Sequence, residues 1–375
     1  MKIIHIVENL DKGAVENWLV NVFIESRKIN PEWEWTFYCI LGKPGRLDEK
    51  VITAGGKIIY SPCTISSKLS FLKALRRVLK AGNYDIIHSH HDYLSGFYLL
   101  ASHGLHFKKR LLHIHNTDKA LPVGNALLRR FLLWPFRWLG FYYSDYIVGI
   151  SQDALHQFVK KRKAGKKQYC VLYYGVDFSK FEKPVDAHLL KKNFSIPIDA
   201  KTLLFIGRMN KYKNPAFVVD VLAALLQKRN DVYALFVGDG DELEIVKNKA
   251  QQYNIFSNIR CVGWQDDAPA IMKAANVFIF PRLAFPKEGL GLTVVEAQAA
   301  GLTLFITNGI VEDALIVKEL IHCLNLNNNA DEWASEINAV FNNVIAVNKV
   351  EALLRMKQSP FELNKATQNL LALYE

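Results

Sequence analysis

Arg208 and Lys213 stand in the run G-R-M-N-K-Y-K-N at 207–214, directly after an apolar, β-branched stretch and directly before Pro215. Two cations at a strand-to-helix turn lie beside the unpaired N–H groups of a helix N-terminus, and that combination suits a phosphate or diphosphate. Pro215 fits the first helical turn, where its missing N–H costs nothing. Taken alone, the pair reads equally well as two solvated surface cations. A second run, E-G-L-G-L-T-V-V-E at 288–296, follows another apolar stretch and its loop. Gly289 and Gly291 let backbone approach a ligand closely, and a helix opening near Leu290 would offer its N–H groups to an anion. Glu288 precedes that helix, and Glu296 lies about two turns further on, which puts both carboxylates on one line. One could hold a sugar and the other a ribose. The competing reading is a capped amphipathic helix with Glu296 on its surface.

The first half carries other candidates. In D-K-G-A-V-E at 11–16, Gly13 permits a tight turn onto a helix and close approach to phosphate. It is not a dinucleotide fingerprint, because no G-x-G-x-x-G is present. Nine of the eleven histidines fall in this half. H-S-H-H-D at 88–92 offers ligand types that suit zinc. It ends a strand, however, where successive side chains point to opposite faces, and no matching Cys/His set lies elsewhere, so no metal site is expected. His115, in H-I-H-N at 113–116, also ends a strand and is the better candidate for touching a substrate. Asp239 and Asp241, in V-G-D-G-D at 237–241, form a D-x-D that could hold a divalent ion, but the glycines after a strand favour a turn. At 125–143, Leu and aromatic residues interleave with Arg129, Arg130 and Arg137, preceded by Lys108, Lys109 and Arg110. Helices in a membrane interface have this character. A helix packed on a sheet and kinked at Pro135 is the equal alternative.

Placing these residues requires a particular scaffold. Short apolar runs at 2–7, 33–41, 57–60, 84–90, 110–115, 145–150 and 169–173 alternate with helical patterns such as 14–28 and 67–81. The rhythm restarts at 202–206, 232–237, 258–262, 277–280 and 303–306. Strands alternating with helices predict βαβ units and parallel sheets covered on both faces. Two series make an α/β protein of two Rossmann-like domains, 1–178 and 179–357, joined near 174–184. A last helix at 358–375 follows another at about 347–357. Open α/β sheets bind ligands beyond the carboxyl ends of their strands, and the runs above lie there.

Composition narrows the function classes. With 375 residues, 50% hydrophobic and 22% charged, the chain is globular and long enough for two cores. No apolar stretch approaches the roughly 20 residues of a spanning helix, and Glu8 interrupts the start too early for a secretory segment. Five scattered cysteines without a C-x-x-C pair suit a reducing cytosol. Residues 1–178 hold 26 Lys and Arg against 14 Asp and Glu, and 179–375 hold 21 against 22. The basic half suggests an acidic partner such as nucleic acid, anionic lipid or a phosphorylated substrate.

Together and in this order, G-R-x-x-x-x-K-N, V-G-D-G, V-G-W-Q-D-D, F-P-x(6)-E-G-L-G-L-T-V-V-E-A-Q-A-A-G-L and the late D-E-W-A resemble the retaining family-4 glycosyltransferases of the GT-B fold. Y-D-I-I-H-S-H, L-S-G-F and H-N-T are similar to the exopolysaccharide and capsule branch of that family. The resemblance covers nearly the whole chain. It implies two domains facing across a cleft, with a terminal helix, 361–374, crossing back onto the first, acceptor-binding domain. Arg208 and Lys213 would bind the donor diphosphate. Glu288 would meet the donor sugar, and His115 would meet it from the opposite domain. Glu296 would hold the ribose, Trp264 and Gln265 the base, and the N–H groups of Gly289, Leu290, Gly291, Leu292 and Thr293 the phosphates. Gly13 and Ala14 would line the first loop, where the family has two adjacent glycines, and the Cβ of Ala14 crowds that place. Tyr174 stands where the family has Asn, and Arg282 where it has Ser.

The expected activity is transfer of a sugar from a UDP- or GDP-linked donor to a growing, polyprenyl-diphosphate-linked or other glycan in bacterial surface polysaccharide or lipopolysaccharide biosynthesis. It would be retaining and need neither metal nor cofactor. The protein would be cytoplasmic and peripheral on an anionic membrane face, with no nucleic-acid partner. Two rivals are a nucleotide-sugar epimerase of the same fold and a non-catalytic module that binds anionic lipid or nucleic acid.

Overall fold

The computed structural model describes the chain except for Lys12, 117–125, 161–167, Pro286 and 343–346, and gives the backbone alone for 126–130. The chain forms two units. Unit 1 comprises Met1–Val176 with Pro360–Glu375, and unit 2 is Asp177–Ser359.

Unit 1 contains strands β1 (Lys2–Val7), β2 (Glu34–Cys39), β3 (Lys57–Tyr60), β4 (Ile86–Ser89), β5 (Lys109–Ile114), β6 (Tyr146–Gly149) and β7 (Gln168–Val171). Its helices are α1 (Ala14–Ile29), α2 (Asp48–Thr53), α3 (Lys68–Gly82), α4 (Ser95–Leu100), α5 (Ala126–Tyr143) and α6 (Gln152–Val159). Unit 2 contains β8 (Lys201–Ile206), β9 (Val232–Val237), β10 (Ile259–Cys261), β11 (Val277–Phe280), β12 (Thr303–Ile306) and β13 (Ile321–Cys323). Its helices are α7 (Ala187–Asn193), α8 (Pro215–Leu226), α9 (Leu243–Gln252), α10 (Ala268–Ala274), α11 (Leu292–Ala299), α12 (Ala330–Asn342) and α13 (Lys349–Gln358). A final helix, α14 (Leu363–Tyr374), belongs to unit 1.

Every named strand pairing is parallel. The sheet orders are β3-β2-β1-β4-β5-β6-β7 and β10-β9-β8-β11-β12-β13, so strand order reverses between β1 and β4 and again between β8 and β11. Chains diverge at such a point and leave a crevice beyond the strand ends. The strands are almost wholly apolar because helices cover both faces: Ile3, Ile4 and Ile6 are fully buried in β1, as are Val277 to Phe280 in β11.

The helix expected near Leu290 begins at Leu292, with Gly291 at φ +86° in the left-handed region as its N-cap. The spacing of Glu288 and Glu296 is therefore not helical. Glu288 lies in the loop and only Glu296 on the helix. The short strand β13 and helix α2 carry no periodic signal, being three and six residues long. α14 is tied to unit 1 by Val176 N–H donating to Phe361 O at 2.7 Å and Leu363 N–H donating to Val176 O at 3.2 Å. Its Leu370, Leu371 and Tyr374 are buried, worth roughly 1.5–3 kcal/mol for each large side chain.

Candidate active site

Unit 2 gathers charge at its switch point. Lys213 lies beyond β8 and Arg282 two residues beyond β11. Between them sits Glu288, with Oε2 3.1 Å from Arg282 Nη1 and Oε1 3.8 Å from Lys213 Nζ. The Lys213 ammonium also stands 5.2 Å over the Phe280 ring. Burial, first of all, draws Lys213 below the usual lysine range; Glu288 opposes this, while Arg282 and Arg208 add to it. Arg208 is exposed beside this group. The loops are pinned together by backbone: Leu283 N–H donates to Tyr212 O at 2.8 Å and Glu288 N–H to Gly309 O at 2.9 Å.

Gly207, at φ +145°, holds a backbone conformation that other residues rarely adopt, and a Cβ there would press on Lys213 Nζ at 3.1 Å. V-G-D-G packs directly on this turn. Met209 N–H donates to Asp239 O, and a Cβ on Gly238 would collide with Gly207 O. Asp239 Oδ1 accepts from Gly240 N–H at 2.8 Å. The D-x-D run is thus built as a turn supporting the Arg208 loop.

On α11, burial pushes the Glu296 carboxyl up to about 7, with Lys180 pulling the other way. Leu290 and Gly291 are buried, and Gly289, Leu292 and Thr293 are partly exposed around the N-terminus of α11. Gln298, fully buried, was legible only as part of a family signature. Its Nε2 donates to Val294 O and Ala314 O, and its Oε1 accepts from Ile316 and Val317 N–H at 2.8 and 2.9 Å. It staples the 312–317 segment to the helix that carries Glu296. Beyond β10, Trp264 is exposed and donates from Nε1 to Asp266, while Gln265 Nε2 donates to Val262 O.

Unit 1 gathers imidazoles at its own switch point. His115 is buried, with Nδ1 2.5 Å from Tyr174 Oη and Nε2 3.2 Å from His90 Nδ1. Both its ring nitrogens therefore face protein groups. Asp92 accepts from the backbone N–H of His115 at 2.6 Å and from Asn116 Nδ2 at 2.6 Å. Its backbone, at φ +44°, is in a region that non-glycine residues seldom occupy. Gly13 caps α1 and Ala14 is its first residue. The alternation argument that set the H-S-H-H run aside holds for neighbours only. His88 and His90, and likewise His113 and His115, are two apart and share a face. His5, His88 and His90 bring ligand atoms within 4.8 Å of one another, as do His90, His113 and His115. Several of these nitrogens are already engaged by one another or by tyrosine. Tyr174 was visible in the sequence only as the residue replacing Asn in the linker motif.

In α5, Phe131, Trp134, Trp138 and Tyr142 are 74%, 60%, 47% and 61% exposed. Spaced three, four and four residues apart, they make one stripe. Leu133 and Phe141 face inward. Arg137 is turned in as well, donating from Nε to Phe158 O at 2.7 Å. The side chains of Arg129 and Arg130 lie outside the described residues, as does Asn125. Lys108 pairs with Asp85 at 3.0 Å, and Arg110 donates to Ser102 and Leu105.

Two parallel Rossmann-like sheets with sites at their switch points define a GT-B architecture. A family model described as Glycosyltransferase Family 4 matches residues 33–180, and one described as Glycosyl transferases group 1 matches 186–356. The chain belongs to the family-4 glycosyltransferases. It is similar to the capsular polysaccharide biosynthesis glycosyltransferase CapH of Staphylococcus aureus, 23% identical over 387 residues, covering 100% of this chain and 98% of that protein. It is also similar to the UDP-Gal:alpha-D-GlcNAc-diphosphoundecaprenol alpha-1,3-galactosyltransferase of Escherichia coli, 23% identical and covering 65% of each chain. Among solved structures, Anabaena HepE in complex with UDP-glucose superposes with a TM-score of 0.81 at 17% identity, covering 100% of this chain and 99% of that one.

Proposed function

We propose that this glycosyltransferase moves a sugar, with retention at the anomeric carbon, from a UDP-sugar to a polyprenyl-diphosphate-linked glycan of a bacterial surface polysaccharide. One observation carries the reading: the Lys213–Glu288–Arg282 group beside Arg208 at the switch point of unit 2. An amine whose charge is disfavoured by burial and by two neighbouring guanidinium groups gains stability when a diphosphate arrives. Arg208, Lys213 and the N–H groups opening α11 would then stabilise the charge that grows on the departing diphosphate. Glu288, gripped by two cations, is an oriented acceptor for sugar hydroxyls. Glu296 would accept from the ribose, and Trp264 and Gln265 would border the base. These cations can do what a divalent ion does in other transferases, so activity should survive chelation. UDP is favoured over GDP by the UDP-linked substrates named for the relatives above.

The acceptor would reach unit 1, and the α5 stripe gives that unit an apolar face suited to a cytoplasmic membrane surface rich in anionic lipid. No helix among the described residues is long and apolar enough to cross a membrane. The test is incubation of the full chain with UDP-sugars and a short-chain polyprenyl-diphosphate monosaccharide, with EDTA present, followed by NMR of the product linkage. A product with the donor's anomeric configuration is expected. An inverted product would sink retention. Hydrolysis or epimerisation of the donor without transfer would sink the acceptor class.

A further inference from the structure

The five buried histidines of unit 1 form two hydrogen-bonded rows, each headed by a tyrosine. In the first, Tyr174 Oη, His115, His90 and His5 follow one another at 2.5, 3.2 and 2.9 Å. In the second, Tyr374 Oη, His88 and His113 follow at 2.7 and 3.2 Å. The rows lean on each other: His113 stacks on His115 with centroids 4.2 Å apart, and His88 lies 4.1 Å from His90. Trp18 closes one side, stacked 4.8 Å from Tyr174.

Each nitrogen–nitrogen contact joins an Nδ1 to an Nε2. A neutral imidazole has one N–H and one lone pair, and burial holds all five rings in that form. Protons must therefore sit on the same-named nitrogen along a row. If His5 donates from Nδ1 to His90 Nε2, then His90 donates from Nδ1 to His115 Nε2, and His115 donates from Nδ1 to Tyr174 Oη. A ring of the other tautomer would face two N–H groups or two lone pairs at about 3 Å, forfeiting a buried hydrogen bond. Two features select this Nδ1–H direction over its reverse. The carboxylates of Asp92 and Glu16 act on Tyr174, and their negative field favours N–H groups pointing towards that end. At the other end His5 Nε2 is buried without a hydrogen-bond partner, and an unpaired acceptor is tolerated better than an unpaired N–H.

We infer that Tyr174, His90 and His5 are positioning residues for His115, a tautomer-locked row in which the innermost ring fixes which nitrogen of His115 carries the proton. The inference rests on the role that the family resemblance implies for His115, since it bears on turnover only if His115 serves the transfer reaction.

The test uses the full chain labelled with ¹⁵N-histidine, its tautomers read from two-bond ¹H–¹⁵N correlations at pH 7.5. His5, His90 and His115 should all be Nδ1–H. His5→Asn places an amide N–H where Nδ1–H stood, so it should keep both the His115 tautomer and turnover. His5→Phe should leave His115 in mixed tautomers and lower kcat about tenfold with donor KM unchanged, the scale of one lost buried hydrogen bond. A packing role alone predicts the reverse order, because Phe keeps the ring and Asn does not. Any ring of the row in the other tautomer, or His5→Phe as active as His5→Asn, overturns the inference. If the tautomers differ while His115→Ala is inactive, only the row falls. If His115→Ala turns over like wild type, the assignment of His115 to the transfer reaction falls and takes the row's role in turnover with it, while the donor site of unit 2 stands on its own tests.

Discussion

At the switch point of one sheet, unit 1 packs five uncharged imidazoles between Trp18, Tyr174 and Tyr374. At the switch point of the other, unit 2 packs Lys213, Arg282 and Glu288 as an ion cluster. The backbone topology is the same and delivers polar side chains to the same place, beyond the strand ends. The side chains differ in whether burial can remove their charge. A guanidinium stays charged wherever it is put, so it demands a partner; an imidazole gives up its proton and can be stacked like any aromatic ring. One unit therefore carries fixed charge that an anion can meet, and the other carries groups whose state depends on pH.

Acid should separate the two units more strongly than any single substitution. The five histidines are held below their ordinary range first by burial, His90 to about 3. Their unfolded value is about 6.5. The unfolded chain therefore binds protons that the folded one refuses, and the stability present above pH 6.5 is lost as pH falls below it. The five rings share one buried cluster, so this loss falls on unit 1 as pH drops below 6.5. Asp92, raised by burial, works the other way with one proton against five. In unit 2, Glu296 is raised to about 7, so that unit gains stability as pH falls from 7 towards 4.5. Amide hydrogen exchange on the intact chain between pH 7.5 and 5.5, corrected for intrinsic rates, should show β1, β4 and β5 losing protection while β8 and β11 keep theirs. Uniform loss in both units would break the comparison.

Next in size comes Gln298. Its replacement by Ala leaves the N–H groups of Ile316 and Val317 and the carbonyl of Ala314 without their buried partner. At about 1–3 kcal/mol for each unsatisfied group, unit 2 should lose about 3 kcal/mol or more, with unit 1 unmoved. Denaturant melts of Gln298→Ala followed by exchange would register this, and equal loss in both units would remove the staple.

These effects mark where the sequence was legible. The two parallel sheets were readable because β11 is a continuous apolar run, β1 is one broken only by Lys2 and His5, and the helices between the strands have clear periods. The Arg208 and Glu288 loops were readable because glycine, proline and charge cluster where strands end. The start of α11 was misplaced by two residues because Gly291 caps it in a left-handed conformation, which a G-L-G-L run does not disclose. Arg282 was legible only as a departure from a family motif, since its grip on Glu288 depends on how an irregular loop folds. The histidine rows needed strand register: His5 pairs with His88 across β1 and β4, a relation invisible until the sheet order is known.

Smaller in free energy is the loss of one charge contact in turnover. Glu288→Gln and Arg208→Ala should each depress kcat about a hundredfold, or about 2.7 kcal/mol, with folding of both units intact by exchange. Matching losses from Glu288→Gln and from Arg282→Lys would sharpen the comparison, because they would show that orientation of the carboxylate by fixed charge is what unit 2 contributes. Near wild-type rates in both Glu288→Gln and Arg208→Ala would sink the site.

The smallest effect expected lies on α5, where unit 1 puts its aromatic residues outward instead of inward. Phe131, Trp134, Trp138 and Tyr142 form the exposed stripe, and Trp138 and Tyr142 stack on each other at 5.4 Å. Arg137 and the 108–110 cations are engaged within unit 1, so any pull of the charge excess of 1–178 on an anionic surface would come from other side chains, over a screening length of about 8–10 Å. Lipid binding should thus have two parts, a salt-sensitive one from basic groups at about 1 kcal/mol each and a salt-resistant one from inserted rings. The full chain should sediment more with anionic than with neutral vesicles, and high salt should leave a residual bound fraction. Trp134→Ser and Trp138→Ser should each weaken that salt-resistant part by about 1–2 kcal/mol, about five- to thirtyfold in partitioning, without touching turnover on a soluble acceptor. If the residual fraction is absent, or the double variant retains it, the stripe does not meet lipid.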